Sequence, residues 1–144
     1  MSAFAAVRAG WQVKRLEKDI SELQPRGGSS ICSTSVGLLI FGGANREQVA
    51  FDDFVVCFKP TNAEVDAAST SDKKMELNWQ KVESTGDIPQ PRSGHACVAY
   101  GHFMFLFGGI DFAEETVYSD LYCLNLLTWN WRYVGETGAE IDGR

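Results

Sequence analysis

The segment PRSGHACVAYGHFMFLFGG (Pro91–Gly109) has a counterpart, PRGGSSICSTSVGLLIFGG (Pro25–Gly43), that aligns without a gap. Pro25 and Pro91 are 66 residues apart, and so are Gly43 and Gly109. The match continues beyond the glycines. FDDFVVCF resembles VYSDLYCLNL and pairs Asp53 with Asp120; LNWQKVESTGDIPQPR resembles WNWRYVGETGAEIDGR and pairs Trp79 with Trp131 and Gly86 with Gly138. Trp79 to Trp131 is 52 residues, as is Arg92 to Arg144. The natural period is therefore near 50, and the first copy carries a 14-residue insertion. Its place is the polar, Ala/Ser/Thr-rich run Lys59–Glu76, which has no apolar period and reads as a long surface loop. A repeat of this length is one supersecondary unit, and it must bury its apolar face against a neighbour.

Each unit reads as four strands. In the second copy they are expected over 95–100, 103–107, 121–126 and 131–134, with turns marked by Gly101, Gly108, Gly109 and the NLLTWN segment. The second strand is apolar throughout, FMFLF in one copy and LLIF in the other. That suits a strand covered on both faces, stopped by the glycine pair because the chain must turn where side chains would collide.

A four-stranded unit repeating near 50 residues is the signature of a propeller blade. The ordered set Pro-Arg-x-Gly-His, apolar strand, Gly-Gly, Asp–aromatic strand and Trp resembles the kelch repeat. Arg92, Gly94, His95, Gly108, Gly109, Tyr122 and Trp131 stand at its motif positions, with Arg26, Gly42, Gly43 and Trp79 matching in the first copy. Ser29 stands where His95 stands, and Val55 where Tyr122 stands. The resemblance implies an all-β chain of kelch-type β-propeller blades, each a four-stranded antiparallel sheet. Residues 25–90 form blade 1 with the insertion 59–76, and residues 91–144 form blade 2.

Two blades cannot close a ring of about 4–8, so an incomplete propeller is expected. The favoured expectation is the N-terminal part of a larger propeller. A truncated product and a short chain completed by self-association are the other readings. Residues 1–24 precede the first blade. Trp11–Leu16 fits a closing strand, while Val13, Leu16, Ile20 and Leu23 recur at helical spacing and fit an amphipathic helix.

The net charge of -6 disfavours phosphate backbones, so no nucleic-acid partner is expected. No run approaches the roughly 18 apolar residues of a membrane span, and no secretory signal is read, so the expected location is cytoplasmic. Cys32, Cys57, Cys97 and Cys123 lack metal-knuckle spacing and read as reduced thiols. Cys97 and Cys123 fall on strands separated by a third, about 9.5 Å apart, too far for a disulfide. Pairing between neighbouring blades stays open.

His95 and His102 are the only histidines. No Ser/His/Asp set or carboxylate pair is fixed by spacing, so His95 is expected to hold blade geometry by hydrogen bonds and His102 to sit exposed at a turn. Arg26, Arg92 and Arg144 recur with the repeat and are expected to pair across blades with carboxylates such as Asp53 and Asp120, and those aspartates to satisfy turn backbone. Chemistry is therefore expected in loops. Those after the second and fourth strands share one end: Ala44–Asp52, Ile110–Ser119 and Glu83–Pro91. They differ between copies while the strands do not, as binding loops on a rigid scaffold do. The resemblance implies that this end binds a protein partner. The expected contact set is Arg46, Asp87, Asp111, Phe112, Glu114, Glu115 and Tyr118, whose carboxylates and aromatics suit a basic or mixed peptide. The expected function is a non-enzymatic scaffold or adaptor module with no cofactor. The alternative is part of a kelch-like propeller enzyme, an oxidase or sugar-epimerase-like protein, whose site lies in other blades.

Overall fold

The computed structural model describes residues 24–59 and 79–136. The candidate closing strand Trp11–Leu16, almost all of the insertion, Gly138 and Arg144 lie outside them. Two antiparallel sheets stand side by side. Blade 1 is β1 (Ser30–Ser33), β2 (Gly37–Phe41), β3 (Phe54–Phe58) and β4 (Trp79–Lys81), in that spatial order. Blade 2 is β6 (Ala96–Tyr100), β7 (Phe103–Asp111), β8 (Thr116–Asn125) and β9 (Asn130–Glu136). The short β5 (Thr85–Gly86), in the link between blades, pairs in parallel with the outer edge of β9. The described residues contain no helix and form no closed ring.

Each sheet has a forward and a rear face, set by strand alternation. Blade 1 presents Cys32, Leu39, Phe41, Phe54 and Val56 forward, and Ile31, Leu38, Ile40, Val55 and Cys57 to the rear. Blade 2 presents Val98, Phe105, Phe107, Leu121 and Cys123 forward, and Cys97, Met104, Leu106, Tyr122 and Leu124 to the rear. The core lies between blades: the forward face of blade 1 packs on the rear face of blade 2. Trp131, paired with Leu124 on β9, fills the centre at 1% exposure. Its ring lies 5.5 Å from Phe41 and 6.4 Å from Phe54, both on the other blade, and 6.4 Å from Tyr122 on its own. Trp129 adds edge contacts to Phe54 and Phe58. Burying aromatics of this size contributes several kcal/mol of the interblade attachment, at roughly 25 cal/mol per Å².

Two strand expectations are corrected. The glycine pair ends β2 in blade 1 but does not end β7, which runs through Gly108 and Gly109 to Asp111 with a bulge between Phe107 and Gly109. The bulge lets β7 and β8 rejoin as a longer hairpin, so the expected loop 110–119 shrinks to Phe112–Glu115. The second strand is also not covered on both faces. Met104 and Leu106 are buried while Phe103 on the forward face is 43% exposed.

Candidate functional site

One arrangement is built twice at the end where the β2–β3 and β7–β8 connections meet. Arg26 donates from Nε to the Gln24 carbonyl and from Nη1 to the Gly42 carbonyl, and its fork grips the Asp53 carboxylate. Its guanidinium lies 4.1 Å from the centre of the Phe51 ring. Arg92 repeats every contact: Nε to Gln90 O at 3.0 Å, Nη1 to Gly108 O at 3.0 Å, and a fork on Asp120 at 2.5 and 3.0 Å. The Tyr118 ring lies 4.0 Å away. A planar fork matches a carboxylate on two bonds and still offers a face to an aromatic ring, which a lysine could not do.

The side-chain pairs therefore join strands of one blade, not neighbouring blades, and the aspartates accept from arginine rather than from turn backbone. Each Arg precedes the first strand of its sheet and each Asp stands beside or in the third, so β2 or β7 alone separates them. Arg92 ties the blades through its main chain instead. Its N–H donates to Phe51 O at 3.2 Å and its carbonyl accepts from Gly43 N–H at 2.9 Å. Gly94 N–H to Gly28 O at 2.8 Å adds a third bond. Glycine is required here: a Cβ on Gly42 would lie 2.6 Å from Arg92 O, and one on Gly43 would lie 2.3 Å from Ser29 Oγ. The aromatic partners were readable but missed. Phe51-Asp52-Asp53 and Tyr118-Ser119-Asp120 both place an aromatic two residues before the aspartate.

His95 sits between the blades at 7% exposure. Its Nε2 is 2.8 Å from Ser30 Oγ of blade 1, and its ring meets Phe41 edge-on at 5.4 Å. Nδ1 is buried with no hydrogen-bond partner. Burial, with the nearby Arg92 charge acting the same way, pushes the imidazole down to about 4, so it is neutral near pH 7. His102 is exposed at the β6–β7 turn.

The structure divides the expected contact set. Arg46, Phe112, Glu114 and Glu115 are exposed, Phe112 at 49%. Asp111 is buried; its Oδ1 accepts from the N–H groups of Ala113 and Glu114 and so builds the turn that presents Phe112. Tyr118 is half-buried with its ring on Arg92. Asp87, though exposed, accepts from Tyr133 N–H at 3.0 Å on the outer edge of β9. An acidic, aromatic-rich run looks like a free loop in the sequence because nothing local announces the hairpin pairing that consumes two of its side chains. The β2–β3 connection is also folded on itself: Asn45 N–H donates to Val49 O, and Asn45 Oδ1 accepts from Val49 N–H.

All four cysteines are free, and burial raises their thiols, Cys97 to about 11, which keeps them protonated. Among the described residues no three His, Cys, Asp or Glu side chains converge as metal ligands, and no helix is long and apolar enough to cross a membrane.

The family model described as KLHDC2/KLHL20/DRC7 Kelch-repeats domain matches residues 3–144. Acyl-CoA-binding domain-containing protein 4 of Arabidopsis thaliana is 28% identical over 78% of this chain and 14% of its own length. An F-box/kelch-repeat protein of the same plant is 30% identical over 77% of this chain and 22% of its own. Kelch domain-containing protein 2 of Bos taurus is 42% identical over 46% of this chain and 16% of its own. The chain thus spans less than a quarter of each of these relatives. The solved structure of YjhT shares the fold, with a TM-score of 0.57 at 15% identity, over 83% of this chain and 40% of that one.

Proposed function

The chain belongs to the kelch-repeat family, and we propose that it is a non-enzymatic interaction module whose loop end takes a protein partner in a scaffold or adaptor role. The observation that carries this reading is the division of labour at that end. Arg26 and Arg92, with their aspartates and aromatic rings, fix the base, while Arg46, Phe112, Glu114 and Glu115 stand out from it uncommitted to the fold. A rigid base under variable, exposed side chains lowers the ordering cost of binding. An aromatic beside carboxylates is the pairing that anchors a basic or mixed peptide.

The test is a fluorescence-polarisation screen of basic and mixed-charge peptides, followed by the triple variant Phe112→Ala, Glu114→Lys, Glu115→Lys. Asp111 stays intact, because it builds the turn. The expected result is a loss of about tenfold or more in affinity, ~1.4 kcal/mol, with an unchanged circular dichroism spectrum. Unchanged affinity for the selected peptide would remove the loop end from the function.

A further inference from the structure

Two of the four thiols face each other across the seam between the blades. Gly94 N–H donates to Gly28 O at 2.8 Å, and His95 Nε2 lies 2.8 Å from Ser30 Oγ. These contacts set the register in which β1 and β6 run side by side in the same direction. Strand side chains return to one face every second residue. Cys32 stands two residues on from Ser30, and Cys97 two on from His95, so they are the next facing pair along the seam. Both pack in the interblade core, Cys32 buried and Cys97 half-buried. The strands run close here. Cα atoms of β1 and β6 come within 8 Å of each other, where stacked sheets ordinarily keep about 10 Å. The Cys32 thiol reaches the Ala99 main chain, and the Cys97 thiol has the Ser30 hydroxyl and the Cys32 thiol beside it. A disulfide needs facing Cβ atoms on backbones about 4.4–6.8 Å apart, so these two backbones need move little to be bridged. Cys57 and Cys123 have no such partner, because one lies on the rear of blade 1 and the other on the forward face of blade 2.

We propose that Cys32 and Cys97 are an oxidative modification site: a hydroperoxide converts them to a disulfide that locks blade 1 to blade 2, and a thiol reductant releases it. The thiolate of one cysteine attacks the peroxide, the O–O bond breaks, and an alcohol or water leaves as a sulfenic acid forms. The second thiol attacks that sulfur, the S–S bond forms and water leaves. The two thiols give up two electrons, and one hydroperoxide accepts them. A thiol reductant reverses the lock by exchange. Burial keeps both thiols largely protonated, so the reaction draws on a small thiolate fraction. The pair closes under sustained oxidant rather than a brief pulse, and faster as pH rises.

The test treats the 144-residue chain with hydrogen peroxide at pH 7 and pH 8.5, removes the oxidant, and blocks thiols with N-ethylmaleimide in denaturant. Peptide mapping by mass spectrometry is expected to show Cys32 joined to Cys97 within one chain, with Cys57 and Cys123 blocked. The link is expected to form faster at pH 8.5 and to vanish in dithiothreitol. A bond closing so long a loop is expected to raise the melting temperature by about 5 °C or more over the reduced chain. The double variant Cys57→Ala, Cys123→Ala leaves the pair untouched and is expected to link as wild type does; Cys32→Ala and Cys97→Ala are expected to abolish the link. Because wild type alone reads the pairing, a variant that fails to fold does not decide the matter. Three outcomes overturn the proposal: all four thiols still take N-ethylmaleimide after peroxide, Cys32 or Cys97 is oxidised to sulfinic acid with no link between them, or the link joins other cysteines or separate chains.

Discussion

Arg26 and Arg92 hold the same position in successive repeats, yet only Arg92 is sealed from water. The side chains of the first pair are 7% and 16% exposed; those of the second are 0% and 13%. Removing one partner of a buried pair leaves the other charge without compensation, which costs about 3–5 kcal/mol. Arg92→Ala also strips the support from Tyr118. It is therefore expected to destabilise the fold by about that amount, with Arg26→Ala costing less because water reaches Asp53. Urea unfolding of both variants measures the difference, and equal losses would mean that burial does not set the value of the pair. The pairing itself was legible, since both arginines and both aspartates recur with the repeat. Its direction within one blade was not, because a 27-residue separation does not say which sheet a side chain turns toward.

At the scale of the element, β7 shows why spacing alone misplaces a strand end. Gly108 and Gly109 look like a stop, and in blade 1 their counterparts Gly42 and Gly43 are one. In blade 2 the bulge absorbs the extra residue and the ladder resumes at Gly109–Tyr118. What the glycines share is close approach. Gly109 has φ +102°, and a Cβ there would lie 2.9 Å from Ser93 O and 3.0 Å from His95 Cβ. Gly94 has φ +67° but no atom within 4 Å of such a Cβ. Gly94→Ala should therefore carry only the left-handed backbone penalty, about 1–2 kcal/mol, and Gly109→Ala clearly more, because backbone must move as well. Thermal melts of the two variants separate the effects. Equal destabilisation would show that conformation, not contact, is what the motif glycine supplies. The strand order, the four-strand unit and Trp131 as a packing residue were all readable from period and alternation. The β5 strap along β9 was not, because Thr85–Gly86 is too short and too polar to carry a strand pattern.

At the scale of the whole molecule, the core belongs to neither blade. Repetition in the sequence implied stacking, but it did not say that His95, present in the second copy of the motif and replaced by Ser29 in the first, would be the wedge. His95 belongs to blade 2, bonds Ser30 of blade 1 and stands against Phe41. Charging it would bury a cation away from water, with the Arg92 charge opposing it further, which is why its folded value lies near 4 rather than near its ordinary 6.5. Between those values the unfolded chain binds a proton that the folded chain refuses, so stability rises with pH across that window. As pH falls from about 6.5, the ordinary histidine value, stability is progressively lost. Below the folded value both states carry the proton and the histidine contributes no further slope. Acid acts on every titratable group of a folded protein, so wild type alone cannot isolate the histidine. His95→Gln can, because it keeps polar capacity toward Ser30 and removes the titration. Melting temperature measured over this range should fall more steeply in wild type than in His95→Gln. Because the wedge holds both sheets, near-ultraviolet signals from Trp79 of blade 1 and Trp131 of blade 2 should be lost together. Parallel pH curves for the two proteins would show that the acid sensitivity does not come from His95 and leave it as packing alone.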